Sequence, residues 1–262
     1  MLIPHIGPIY ITDSPGKHDV SLVKQMAALS IQSPARHVIL RPSRVSLPLD
    51  PYVGYQQPAL LKVASFSGGY AGNGLLVVFN VSESGENTDT VTLSDFQGIC
   101  KDTEYAIRSH TSGKVYEAGP NNDTVLSVTL PTHGWDFFTA VPVAEFSAAS
   151  GDLAVGTFGL TSSLSGVAAV LSWSAVKTDS GQIQVSATLK ALGVLSFYVS
   201  DLENRKIDEL LITVGSTVVP VDTVAKNAGD SNLLDVDLEK AWNKLGMESG
   251  WSNEVTVTLY LG

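Results

Sequence analysis

The sequence predicts a mainly β fold, an antiparallel β-sandwich over residues 35–262 preceded by one βα unit over residues 1–34. Three observations carry this reading. Leu126, Val128 and Leu130 alternate with Ser127 and Thr129, and Val255, Val257, Leu259 and Leu261 alternate with Thr256, Thr258 and Tyr260. Period two marks strands with one buried and one wet face. From about residue 36 onward, short apolar segments recur between clusters of Gly, Asn, Asp, Ser and Pro, the punctuation of a sandwich. Before that point the pattern differs: residues 8–11 (Pro-Ile-Tyr-Ile) form a continuous β-forming run, the signature of a strand buried on both faces.

The leading unit reads as strand, turn and helix. Residues 12–16 (Thr-Asp-Ser-Pro-Gly) stop the strand with turn chemistry. Asp19 is the N-cap of a helix expected over residues 20–29, where Val20, Val23, Ala27 and Ile31 recur every three to four residues. One strand, a polar loop and one helix make a single unit of a parallel α/β fold. Further strands are expected over 38–41, 60–66, 75–81, 104–109, 136–141, 167–174, 183–190, 194–199 and 210–214. A second helix runs from Leu238 to Leu245, capped by Asp237 and ended by Gly246.

Composition narrows the function. Of 262 residues, 26 are acidic and 16 basic, for a net charge of −10 with no Lys/Arg stripe, so no nucleic-acid partner is expected. The longest apolar runs fall short of the roughly 18 residues that a membrane span needs. Residues 1–5 lack the basic start and apolar stretch of a signal peptide. Cys100 is the single cysteine, so it forms no internal disulfide; this fits a reducing compartment, and a cytoplasmic location is expected. Without a signal peptide, the sequons at Asn80 and Asn122 read as chance matches.

Sites of self-contained chemistry are scarce. His5, His18, His37, His110 and His133 show no i,i+4 pairing and no nearby cysteine, so no metal site and no cofactor are expected. Asp235-Val236-Asp237-Leu238-Glu239 resembles part of a calcium loop but lacks its central glycine and its spacing, so helix capping explains it better. The glycine-rich stretch 68–74 leads into a strand, whereas a phosphate loop must open a helix; it reads as a hairpin loop. No Gly-x-Ser-x-Gly elbow occurs. Cys100 has no assigned histidine partner. Trp135, Trp173, Trp242 and Trp251 are either core anchors or sugar-stacking platforms. The polar loop 12–19 either shapes a turn and caps a helix or faces a substrate at a strand end.

The order of short motifs adds a resemblance. Residues 7–19 (Gly-Pro-Ile-Tyr-Ile-Thr-Asp-Ser-Pro-Gly-Lys-His-Asp) look like the last-strand motif of the raffinose-synthase, seed-imbibition and alkaline α-galactosidase family, of the glycoside hydrolase family 36 type. Residues 40–44 (Leu-Arg-Pro-Ser-Arg), 77–81 (Val-Val-Phe-Asn-Val), 105–113 (Tyr-Ala-Ile-Arg-Ser-His-Thr-Ser-Gly) and 137–143 (Phe-Phe-Thr-Ala-Val-Pro-Val) are similar to later family motifs in the same order. Beyond residue 150 the similarity is thin.

The resemblance implies a (β/α)8 catalytic barrel followed by a C-terminal β-domain, so residues 1–34 would be the last βα unit of a truncated barrel. It also implies retaining chemistry on α-galactosides by two aspartates about 5–5.5 Å apart. In the family both lie upstream of the motif at Gly7, so no catalytic residue is expected in this chain, and the chain alone is expected to be inactive. Thr12 and Asp13 would sit at the rim of the sugar site as substrate-binding residues. Residues 1–5 do not match the family's lead-in, which implies a truncated gene model, an alternative start or an excised piece. The alternative is a free-standing carbohydrate-binding or interaction module.

Overall fold

A computed structural model describes residues 14, 16–33, 37–53, 59–68, 72–83, 85–119, 124–148, 151–214, 217–219, 224–226 and 232–262. The strand expected over residues 8–11 lies outside them. The chain forms two compact units: Arg41–Pro142 belongs to the first, and Pro15–Leu40 joins Val143–Gly262 in the second.

Helix α1 spans Val20–Gln25, and the Asp19 carboxylate accepts from the Leu22 N–H at 3.0 Å, as its cap position requires. It buries no residue. The chain then enters strand β1, Ala27–Ser30, which pairs antiparallel with β2, His37–Ile39. This corrects the expected βα unit. A barrel helix buries an apolar stripe and joins parallel strands, whereas α1 buries nothing and every strand pairing among the described residues is antiparallel. Residues 27–29 (Ala-Ala-Leu) favour helix by propensity, but ladder bonds to β2 override it. The expected single sandwich over 35–262 is corrected too: the chain is mainly β, but its strands form several small sheets shared between two units with separate cores.

The first unit contains β3 (Leu47–Pro48), β4 (Leu61–Ser67), β5 (Asn73–Phe79), β6 (Asn87–Val91), β7 (Tyr105–Ser109), β8 (Val115–Ala118), β9 (Leu126–Leu130) and β10 (Trp135–Pro142). Six of these form one sheet in the order β3-β4-β5-β10-β7-β8, and β6 pairs with β9. Leu76 and Val78 of β5, Ile107 of β7 and Phe138 of β10 share a core with Val91, Leu126 and Val128 of the β6–β9 pair. Asn80 completes the join. Its amide donates to the Gly85 and Leu130 carbonyls at 2.8 and 2.9 Å, and its oxygen accepts from Ser82 N and Asn87 Nδ2 at 3.1 Å each. Asn80 is buried and both its amide protons are used, so its sequon offers no acceptor in the folded unit.

The second unit continues with β11 (Ala144–Ala148), β12 (Gly151–Leu160), β13 (Val170–Lys177), β14 (Ile183–Leu189), β15 (Ala191–Leu192), β16 (Val194–Val199), β17 (Ile207–Val214), β18 (Thr217–Val219), β19 (Val224–Lys226), β20 (Leu233–Asp237), helix α2 (Leu238–Leu245) and β21 (Val255–Leu261). The unit contains two five-stranded sheets, β11-β12-β16-β20-β19 and β13-β14-β21-β17-β18, and a separate small sheet, β15-β1-β2. Their inward residues share a core in which Ile31, Leu160, Leu195, Phe197 and Leu259 have no exposed surface. Helix α2 matches its expected bounds: Asp237 accepts from Lys240 N at 3.0 Å, and Gly246 closes it at φ 57°. Leu238, Ala241 and Trp242 are its buried face.

Gly159 marks a register shift between β12 and β16. Its φ is +65°, and a Cβ there would lie 2.5 Å from the Gly166 carbonyl oxygen. Gly159→Ala therefore adds left-handed backbone strain of about 1–2 kcal/mol to overpacking of about 1–3 kcal/mol. Urea denaturation should show a loss in that combined range, and an unchanged midpoint would contradict the packing described.

Candidate functional site

The two residues expected to bind substrate, Thr12 and Asp13, lie outside the described residues. Ser14 is exposed, and Asp19 of the same loop caps α1.

The later motifs, in contrast, converge. Residues 77–79 lie on β5, residues 105–109 on β7 and residues 137–142 on β10, three adjacent strands of one sheet. Residues 41–44 fasten to the end of β4 in the same sheet. Ser65 Oγ donates to the Arg44 carbonyl at 2.8 Å, Ser43 Oγ donates to the Phe66 carbonyl at 3.2 Å, and the Arg44 guanidinium lies 5.8 Å from the Phe66 ring centre.

The densest polar geometry in this unit surrounds Asp136, the one buried carboxylate residue among those described. Its Oδ1 accepts from Thr111 N at 3.0 Å, Thr111 Oγ1 at 2.7 Å and Phe137 N at 2.7 Å, and its Oδ2 accepts from Ser109 Oγ at 2.7 Å. Ser109 Oγ in turn accepts from Ser112 N at 3.1 Å and from Ser112 Oγ at 2.8 Å. The β7–β8 turn, ending at Gly113 with φ 73°, is thus tied to β10 through one carboxylate. A buried carboxylate is costly unless donors surround it, and here they do.

This geometry limits the chemistry. Ser109 is buried, its proton goes to Asp136 and both its lone pairs are taken, so it is a link and not a nucleophile. Asp136 is committed to holding the turn. Beside it lies a pocket of about 270 Å³ with Ser112, Thr111, Tyr116, Ser127 and Trp135 among its walls. His110 stacks against Trp135, with ring centres 6.4 Å apart and planes 22° from parallel. Burial holds the His110 imidazole below its ordinary pKa; the Arg108 charge adds to this and Asp136 opposes it.

The remaining candidates resolve individually. Trp173 packs against the core of the second unit, Trp242 is buried, and Trp251 stands exposed. Cys100 is half-buried, and its N–H donates to the Tyr105 hydroxyl at 3.0 Å. Asp235 accepts from Ser196 Oγ and Asp237 caps α2, so the calcium-like stretch is spent on structure. Among the described residues no group of three or more His, Cys, Asp or Glu side chains could hold a metal ion. No described helix is long and apolar enough to cross a membrane. No protein-family model matches the chain, and no curated protein matches it.

Asp136 escaped the sequence reading because it falls at the start of an apolar strand, with nothing local to show that its partners arrive from a turn 25 residues upstream. Asp136→Ala strands a cluster of donors, with an expected loss of about 2–4 kcal/mol in denaturant unfolding. Stability should also depend on pH through His110. The unfolded chain binds this proton near pH 6.5, above the folded value, so the contribution is complete above about pH 6.5 and is lost as pH falls towards the folded pKa. An NMR titration should give a His110 midpoint below 6.5, and a higher midpoint would contradict its burial.

Proposed function

We propose that this chain is a non-catalytic C-terminal portion of a glycoside hydrolase of the raffinose-synthase and alkaline α-galactosidase type, whose intact form acts on α-galactosides. The observation that carries the reading is the convergence of the resembling motifs. Residues 77–79, 105–109 and 137–142, separate in sequence, lie on neighbouring strands β5, β7 and β10. Residues that form one physical unit are the ones a resemblance would preserve together. The Asp136 network supports a scaffold role, because its carboxylate is occupied by four donors and no open acid–base pair is built around it.

On this reading the sugar partners reach the protein through the intact parent, and Asp13 would bond a galactose hydroxyl with Thr12 beside it. The catalytic aspartates would come from a barrel outside this sequence. The reading carries a cytoplasmic location with it, where the half-buried Cys100 stays reduced. Neither a membrane nor a nucleic acid is a partner.

A second reading, a free-standing carbohydrate-binding module, draws on the hydroxyl-lined pocket beside Trp135 and Tyr116. The purified chain is expected to leave 4-nitrophenyl α-galactoside intact, and galactose-competed hydrolysis would overturn the scaffold reading. Calorimetry with raffinose separates the two: saturable binding lost in Trp135→Ala favours the module. The parent assignment rests on the genomic sequence upstream of Met1. An in-frame barrel bearing two catalytic aspartates is expected there, and its absence would sink the assignment.

A further inference from the structure

Strand β13 closes one end of the sheet β13-β14-β21-β17-β18. Its register, from Ser172 opposite Thr188 to Lys177 opposite Ile183, joins it to β14 on one side, and no described strand pairs with its other side. About half of the main-chain N–H and C=O groups of an edge strand point away from its neighbour, so this side is a row of open donors and acceptors. At eight residues, β13 is the longest strand at any sheet edge among the described residues; the others have five or fewer.

Long edges are ordinarily guarded by charge, proline or a bulge. On β13 the guards stand only at the ends. A register shift falls between Val170 and Ser172, and Lys177, the one charged residue of the strand, donates to the Ser147 carbonyl at 3.0 Å. Between them, residues 172–176 (Ser-Trp-Ser-Ala-Val) hold neither charge nor proline. Leu171 and Val176 are 51% and 50% exposed, and Trp173 is half-buried where it packs on the core of the second unit.

We propose that β13 pairs antiparallel with β13 of a second copy of this chain, across a two-fold axis that joins their five-stranded sheets into one. An antiparallel edge is its own complement under a two-fold rotation, because the open donors of one copy meet the open acceptors of the other. Charge points to the same occupant. A net charge of −10 makes copies of this chain repel, but residues 170–176 are uncharged, so two copies meet here with no like charges in contact. With the axis at Trp173 or Ser174, each Lys177 lies opposite residue 169 or 171 and not opposite the other lysine. Both partners are already held extended by their own β14, whereas an unfolded peptide from another protein loses entropy on ordering. The pairing covers Leu171, Val176 and the open part of Trp173. One strand pair is a small interface, so the dimer is weak and depends on concentration. None of this rests on the α-galactoside reading, since β13 lies wholly within the second unit.

The test is sedimentation equilibrium of the whole chain from about 1 to 500 µM, which should show monomer and dimer with a Kd on the order of 10–100 µM. Added salt should tighten the dimer, because it screens the repulsion between acidic copies. Ser174→Glu sets two carboxylates close to the axis and should weaken the dimer by about fivefold. Ser252→Glu adds the same charge on the exposed turn before β21 and should leave Kd within about twofold. On unmodified protein, amide hydrogen exchange within residues 171–176 should slow as concentration rises, a readout independent of any variant's folding. A chain that stays monomeric to about 500 µM, a dimer equally tight in Ser174→Glu, or concentration-dependent protection that bypasses residues 171–176 would each overturn the proposal.

Discussion

Antiparallel register is the constraint on which the structure rests. In the second unit, β14 meets β21 so that Ile183, Val185, Ala187 and Leu189 stand opposite Leu261, Leu259, Val257 and Val255. Strand β17 then adds Leu210, Ile212 and Val214 to the same face. All of these residues are buried, while Ser186, Thr188, Thr256 and Thr258 meet across the other face through hydroxyl contacts. A slip of one residue would send every apolar side chain to water, so pairing and burial enforce each other. Strands this short are not stable in isolated pairs, and each unit holds together by joining several at one core.

The first unit obeys the same rule and adds polar locks where register alone leaves the connections loose. Asn80 ties β5 to the β6–β9 pair, and Asp136 ties the turn after β7 to β10. Each lock is buried and met by several partners, so each specifies one arrangement of its connection. That completeness also makes them unsuited to chemistry. A group whose bonds are all spent on its own fold has none to offer a substrate.

By itself the sequence determined the elements whose signals are local. The alternation at Leu126–Leu130 and Val255–Leu261 became strands β9 and β21, and Asp237 and Gly246 bounded α2 because caps act on their own helix ends. Asp19 capped α1 for the same reason. Tertiary structure alone decided the rest. Residues 27–29 carry helix-forming side chains and became a strand, because β2 and β15 offered ladder bonds that no local preference announces. The division into two units, with Pro15–Leu40 joining strands more than a hundred residues downstream, depends on contacts distant in sequence. Asp136 was not legible for the same reason: what a polar group means depends on whether folding brings it partners, and those partners lie far along the chain.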